Sequence, residues 1–269
     1  MTALVVDIGN ARVKWALADR GRIGATGDAL HTGRVDDAMA ALDAALPPGV
    51  ERVVVANVAG DDVVAALAAL TERRFGAAPE LVATQREMLG VRCGYRDPSR
   101  LGVDRWVAVI AAHRIASEKG PRPACVIGAG TAMTFDAVDA AGLHLGGLIL
   151  PGPRIAADAL ARNTERIGPT VPAAERPGGL EMLGRSTDEA VGRGVLLGPA
   201  AAFDRAVGVI ARELGETPIV LLAGGEAPLL RPWLETDVRV EADLVLKGLA
   251  LIAAETTPTE RGAVGRTAR

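Results

Sequence analysis

Lysine is nearly absent from this chain of 269 residues: Lys14, Lys119 and Lys247 stand against 30 basic residues in all, and the rest are arginine. The basic residues are scattered and the formal net charge is −3, so the electrostatic footprint of a nucleic-acid binder is missing. Cysteine is equally scarce. Cys93 and Cys125 have no partner spacing for zinc or for a redox pair. Uninterrupted apolar runs such as Val63–Leu70 are too short to span a bilayer, and no basic-then-apolar secretion signal precedes the first strand-like run. Neither a Walker phosphate loop nor the six-residue dinucleotide glycine fingerprint occurs. What remains is a chain expected to be soluble and cytoplasmic, with no nucleic-acid and no membrane partner.

The length allows two cores, and the pattern divides accordingly. Ala3–Asp7 reads as a buried strand, closed by a turn at Ile8-Gly9-Asn10 and answered by an alternating strand over Arg12–Ala18. An alanine-rich helix over Asp36–Leu46, a strand at Arg52–Ala56, a helix over Asp61–Phe75 and a short strand near Glu80–Ala83 follow. Ala124–Val138 overlays Ala3–Leu17 without gaps, with Gly9 on Gly130, Asn10 on Thr131 and Ala16 on Ala137. Two copies at this spacing argue for duplicated domains rather than a solenoid. Helices at Pro153–Asn163 and Thr187–Leu214, a strand at Pro218–Ala223, a turn at Gly224-Gly225 and helices at Ala227–Leu234 and Ala242–Ala254 complete an α/β pattern. The expected domains are 1–118 and 119–255, divided at Lys119–Pro123, with 256–269 a disordered tail.

Cys93–Trp106 holds the only tyrosine, Tyr95, and one of three tryptophans. Asp97-Pro98-Ser99 reads as a turn, and from Arg105 to Glu118 apolar residues recur at helical steps. Asp104 therefore falls in the first turn of a helix, where the dipole favours an ionised carboxylate. It is either a simple helix-end charge or a base able to take a proton from a hydroxyl, with Arg105 holding an anionic substrate. Two glycine hairpin tips from duplicated halves would face one another across an interdomain nucleotide cleft. Glycine lets backbone N–H groups approach phosphate, with Asn10 and Thr131 adding side-chain bonds. Asp7 would repel phosphate and is better read as holding magnesium, directly or through water. Lys14 supplies a compact positive charge near the tip. Gly224 and Gly225, between strand and helix, suit close approach of an adenosine. Ser186–Glu189 forms a capping-box pattern that leaves Thr187 free to face a ligand. His31, His113 and His144 are isolated from one another, and His113 lies on an apolar helix face.

Assembled in order, these residues resemble a type III pantothenate kinase from Ala3 to about Ala254. Asp7-Ile8-Gly9-Asn10 is similar to that family's first phosphate motif and Gly130-Thr131-Ala132-Met133-Thr134 to its second. Gly94-Tyr95, Pro98 and Leu101-Gly102-Val103-Asp104-Arg105-Trp106 are similar to its pantothenate motif, Gly146–Gly152 to its dimer-interface motif, and Ala223–Gly225 to its nucleotide-proximal loop. The resemblance implies two RNase H-like domains of the actin and sugar-kinase superfamily, a homodimer, and phosphorylation of pantothenate by ATP with Mg2+, the first step of coenzyme A synthesis. It assigns Asp104 as general base. Tyr95, Gly102, Val103, Arg105 and Thr187 hold pantothenate, Thr187 from the neighbouring subunit. Asp7, Ile8, Gly9, Asn10, Lys14, Gly130, Thr131, Thr134, Gly224 and Gly225 serve ATP and its metal. Three positions depart from the family pattern. Ala11 replaces Ser or Thr, Cys93 replaces Asn, and Gly128 replaces the aspartate that ligates potassium or ammonium. Gly128 lies opposite Asp7 in the repeat, which leaves the monovalent cation without a side-chain ligand. Other readings are a non-catalytic accessory protein on the same scaffold and another small-molecule kinase of the superfamily. The Tyr95–Trp106 stretch, similar to the pantothenate motif and not part of the shared nucleotide scaffold, argues against another kinase, and joint retention of Asp7, Asp104, Arg105 and Thr131 argues against an accessory role.

Overall fold

A computed structural model describes residues 2–173 and 175–256 and divides the chain into two compact units. The expected tail at 257–269 lies outside the described residues. Of the described residues, the first unit contains 2–111 and 243–256, and the second contains those from 112 to 242.

In the first unit, β1 (Thr2–Ile8), β2 (Arg12–Asp19) and β3 (Arg22–Leu30) form an antiparallel meander, extended on the other side of β1 by parallel β4 (Arg52–Asn57) and β5 (Glu80–Leu81). The order is β3-β2-β1-β4-β5. Period-two alternation sends Leu4, Val6 and Ile8 into one core with Val13, Trp15, Val53 and Val55. There they meet Met39 and Leu42 of α1 (Val35–Ala45) and Val63, Leu67 and Leu70 of α2 (Asp61–Phe75). Trp15 lies against Gly27, its cross-strand neighbour, where a side chain would collide with the indole. A small hairpin, β6 (Glu87–Met88) and β7 (Val91–Arg92), leads to a 3-10 turn at Pro98–Arg100 and to α3 (Val103–Ser117). Trp106 through Ala112 of α3 are all buried, so this helix has no solvent face along that stretch.

In the second unit, β8 (Ala124–Ala129), β9 (Ala132–Val138), β10 (His144–Pro151), α4 (Pro153–Asn163), α5 (Thr187–Leu214), β11 (Ile219–Ala223), α6 (Ala227–Leu230) and β12 (Arg239–Val240) repeat the plan. The strand order is β10-β9-β8-β11-β12, the same as in the first unit when matched strand for strand. Duplicated RNase H-like sheets are therefore the architecture. Phe135 of β9 stacks on Phe203 of α5, with ring centroids 6.0 Å apart, and Ile127, Met133, Leu196 and Trp233 fill the same core. Among the described residues α5 is long and apolar enough to cross a membrane. Counting uninterrupted apolar runs did not anticipate this. Val191, Val195, Leu196, Pro199 and Phe203 of α5 are nonetheless buried in the unit's core, as in the core helix of a globular protein.

Three sequence expectations need correction. The last helix, α7 (Leu244–Glu255), packs on β1 and β2 of the first unit rather than closing the second. Two contacts explain its placement. Gly248 has no side chain and sits against the Val107 carbonyl and Cγ1 of α3. Arg52, 4% exposed, grips Glu80 with two nitrogens at 2.7 and 2.8 Å while donating to the carbonyls of Ala253 and Thr256 at the end of α7. A buried guanidinium thereby satisfies carbonyls that a helix C-terminus leaves over. The division between units falls inside α3, after Ala111, and not at Lys119–Pro123. The gapless overlay of the two hairpins fails as well. Ile8 pairs with Val13 around four residues, whereas Ala129 pairs with Met133 around three. Asp7 therefore faces Lys14 across its strand pair, while the equivalent Gly128 faces Thr134, and Ala16 corresponds to Asp136 rather than Ala137.

Candidate active site

The first unit gathers most of the chemistry. β1 carries Asp7 at its last turn of pleat, and the antiparallel register puts Lys14 directly opposite. Asp7 is only partly exposed, and its carboxyl is pushed up to about 7, first by burial and then by the negative charge of Asp104. Asp243 adds to the upward push and Lys14 opposes it. Three carboxylates and one ammonium, drawn from β1, β2, α3 and the approach to α7, thus act on one another within one unit.

Asp104 occupies the first turn of α3, and its Oδ1 accepts the N–H of Arg105 at 2.8 Å. Gly102 makes room for this: a Cβ there would lie 2.7 Å from the same Oδ1. Thr84 holds the adjoining Leu101 carbonyl at 2.8 Å, and the Trp106 N–H donates to the Gly102 carbonyl as the helix begins. Arg105 is 7% exposed; it donates to the Tyr95 hydroxyl at 3.1 Å, with its guanidinium carbon 5.8 Å from the ring centre. Arg86 donates to the carbonyls of Tyr95 and Arg96, which fixes the loop that carries the tyrosine. Asp97 caps the 3-10 turn through the N–H and hydroxyl of Ser99, and these bonds hold its carboxyl below the usual range. Tyr95, Gly102, Val103, Asp104 and Arg105 therefore form one contiguous group. Cys93 is buried beside it in sequence, and its free thiol reaches no disulfide.

The second unit carries the other motif residues. Gly130 N–H bonds the Ala132 carbonyl to make the tight turn bearing Thr131. Gly152, just ahead of α4, packs against the Gly130 and Thr131 carbonyls, and its N–H donates to Thr131 O at 3.1 Å. Gly224, at a φ of 103° open mainly to glycine, presses on the Ala129 carbonyl, which also accepts the Glu226 N–H. The turn at Gly130-Thr131 is thus held between two other glycine corners, and Gly225 follows in the same loop. Thr134 fills the space over Gly128, where a Cβ would stand 2.5 Å from its Oγ1. Thr187 opens α5, capped by Ser186 Oγ to the Glu189 N–H at 3.2 Å. Glu189 reaches back to the N–H of Arg185 rather than Ser186, one residue further than a capping box requires.

Against the family profile described as type III pantothenate kinase, residues 3–208 match. The chain belongs to the type III pantothenate kinase family. A type III pantothenate kinase of Nitrosococcus oceani is 36% identical over 261 residues, covering 96% of each chain. One of Aromatoleum aromaticum is 40% identical over 255 residues, covering 94% of this chain and 98% of the relative. Among solved structures, a Baf family transcriptional activator from Campylobacter jejuni superposes with a TM-score of 0.55 at 16% identity, over 94% of this chain and 98% of the other. The activator of 2-hydroxyisocaproyl-CoA dehydratase from Clostridium difficile, solved with bound ADPNP, gives 0.50 at 14% identity over the whole of both chains. At these identities the two structures speak for the shared fold alone.

Sequence reasoning missed two contributors that this kinase-family fold reveals. Asp243 adopts a left-handed conformation (φ 56°, ψ 35°) at the start of α7 and makes no side-chain cap to its own helix. Its Oδ1 lies 3.7 Å from Lys14 Nζ instead. That conformation, uncommon for a residue with a side chain, is visible only in the structure, and nothing in the sequence ties residue 243 to residue 14. Gly152 was read only as part of an interface motif. The three histidines stay apart: His113 is partly buried, which lowers its pKa, and His144 is buried against Asp136 at 3.0 Å. Cys125 is sealed in the core, its thiol pushed up to about 12 by burial.

Magnesium suits this donor set. Among the described residues no three His, Cys, Asp or Glu side chains cluster as an all-protein metal cage. Magnesium commonly takes one or two carboxylates and leaves its other positions to water and phosphate oxygens. Asp7, whose ionisation is disfavoured by burial and by neighbouring carboxylates, is a group that a divalent cation relieves.

Proposed function

We propose that this chain phosphorylates pantothenate at its primary hydroxyl with ATP, the first step of coenzyme A synthesis. The observation that carries the reading is the closeness of Asp104 to Asp7 within one unit, near enough for their charges to act on each other, with Lys14 paired across the strand. One carboxylate suits the metal and the other the alcohol. Asp104, in the first turn of α3, takes the hydroxyl proton. Arg105 and Tyr95, already in contact, hold the anionic and polar parts of the vitamin, with Gly102 and Val103 lining the same turn. Asp7 holds Mg2+, which neutralises phosphate charge when bound. On the first unit, Lys14 and the turn at Ile8-Gly9-Asn10 receive phosphate oxygens; on the second, Gly130, Thr131, Thr134, Gly224 and Gly225 serve ATP. Positioning and charge neutralisation are what phosphoryl transfer asks of a protein. A monovalent cation has no side-chain ligand at Gly128.

The working form is a homodimer in the cytoplasm. Leu145, Leu148 and Ile149 of β10 and Ile155 and Leu160 of α4 expose apolar side chains on the second unit. An open groove of about 730 Å³ between β10, α4 and α5 adjoins them and is lined in part by Thr187. A second copy covering that face would bring Thr187 toward its neighbour's pantothenate. The deciding experiment is a purified-protein assay with pantothenate, ATP and magnesium. Formation of 4'-phosphopantothenate is expected, and its absence with folded protein would end the proposal.

A further inference from the structure

The turn between β1 and β2 is held from outside by a residue of neither strand. His31 follows β3, is 5% exposed, and donates its backbone N–H to the Ala11 carbonyl at 3.1 Å. Its ring Nε2 lies 2.7 Å from the Gly9 carbonyl oxygen. A carbonyl only accepts, so Nε2 carries the proton in this bond. The backbone of His31 is held on its other side as well: the Arg34 N–H donates to the His31 carbonyl at 2.9 Å. Inside the turn, the Gly9 N–H is taken by the Arg12 carbonyl at 3.0 Å.

A trans peptide places its C=O and N–H on opposite sides of one plane. Tying the Gly9 carbonyl to His31 therefore aims the Asn10 N–H away from His31, and tying the Ala11 carbonyl does the same for the Arg12 N–H. Gly9 is the residue at which this plane turns over at least cost, because it lacks a Cβ. Its freedom is not forced by crowding, since a Cβ there would meet only ordinary contact, 3.5 Å from the Arg12 carbonyl. A flipped Gly9–Asn10 peptide would present a carbonyl where a phosphate needs a donor.

We propose that His31 is a positioning residue for nucleotide binding: its Nε2–H holds the Gly9 carbonyl so that the Asn10 N–H points to the phosphate side of the turn. The inference rests on the reading of Ile8–Ala11 as a phosphate-holding turn. It asks nothing of His31 in the chemical step, and it places the effect on ATP rather than on pantothenate. Without the bond the turn samples both peptide orientations, and apparent affinity falls by the competent fraction.

The test is steady-state kinetics on full-length wild type, His31→Leu and His31→Gln, with thermal melts of each. Glutamine carries an N–H donor near the position of Nε2, whereas leucine fills the space without one. His31→Leu is expected to raise the KM for ATP by about threefold to tenfold, the worth of one hydrogen bond. Its kcat and its KM for pantothenate stay near wild type, and His31→Gln restores most of the ATP affinity. An unchanged KM for ATP in His31→Leu, or a glutamine variant no better than the leucine one, overturns the inference while leaving the kinase reading intact. Loss of both wild-type turnover and ATP binding would overturn the underlying reading as well. Should His31→Leu fail to fold, nitrogen NMR of the wild-type imidazole decides: a proton on Nε2 supports the bond, and a bare Nε2 refutes it.

Discussion

Replacing Asp7 with asparagine is expected to make the metal-free protein more stable and to remove its magnesium-dependent activity. The reason lies in what surrounds the carboxylate. Burial first, then the charges of Asp104 and Asp243, raise its pKa from 3.8 to about 7, against the pull of Lys14. A carboxyl with a raised folded pKa binds more protons in the native state than in the unfolded chain between those two values. Stability therefore falls as pH rises through that window and is lowest above it. A shift of that size corresponds to about 4 kcal/mol. Asp7 keeps part of its surface in water, which screens the cost to about 2 kcal/mol.

Asparagine is nearly isosteric and carries no charge, so Asp7→Asn should recover that amount at pH 8. In a melt this is roughly 4–8 °C, since each kcal/mol shifts the midpoint of a domain of this size class by about 2–4 °C. The difference should shrink as pH falls toward 4 and vanish only below the ordinary value of 3.8, where the carboxyl is protonated in the unfolded chain as well. Adding Mg2+ should stabilise the wild type and leave Asp7→Asn unmoved. The assay is a set of thermal melts from pH 4 to 8.5, with and without magnesium. A variant less stable than wild type at pH 8, or a difference that does not depend on pH, would refute the electrostatic account of Asp7.

Asp104→Asn should lower kcat/KM by at least about a hundredfold while preserving the fold, the usual worth of a general base; turnover near wild type would remove Asp104 from that role. Exchanging potassium for sodium at constant ionic strength should leave the rate nearly unchanged, because Gly128 offers no carboxylate and Thr134 occupies the space above it; a strict potassium requirement would contradict this. Ile149→Glu, which puts a charge on a residue 65% exposed in the single chain, should shift sedimentation toward monomer and cut activity with it, and a variant that remains dimeric would move the interface elsewhere.

The legible part of this fold came from periodicity. Strands β1, β2, β4, β8 and β9 and helices α2, α4 and α5 stand close to where alternation, apolar steps and capping residues put them. The missed strands explain themselves. β3 is exposed along most of its length and reads Arg22-Ile23-Gly24-Ala25-Thr26-Gly27, with too little apolar contrast to register as a strand. β6, β7 and β12 are two residues each, shorter than any period can reveal. At the site, Asp104, Arg105 and Tyr95 were readable because one short stretch carries them all. Asp243 and His31 were not, since their partners, Lys14 and the Gly9 carbonyl, lie 229 and 22 residues away and only the sheet and the last helix bring them in.

The repeat itself taught the right topology and the wrong register. One residue fewer in the second turn slides β9 by one position against β8, so the place held by Lys14 in the first unit is held by Thr134 in the second. The carboxylate at Asp7 has become Gly128 across the same duplication. The first unit therefore keeps an ion-pairing position on each strand, and the second keeps a threonine hydroxyl lying over a glycine. Charged work concentrates accordingly: Asp7, Lys14, Asp104 and Asp243 all belong to the first unit. Two sheets with the same strand order thus present different side chains at matched positions, Asp7 and Lys14 in one and Gly128 and Thr134 in the other. The difference lies in one residue fewer in the second turn and a glycine at position 128 rather than in any change of fold.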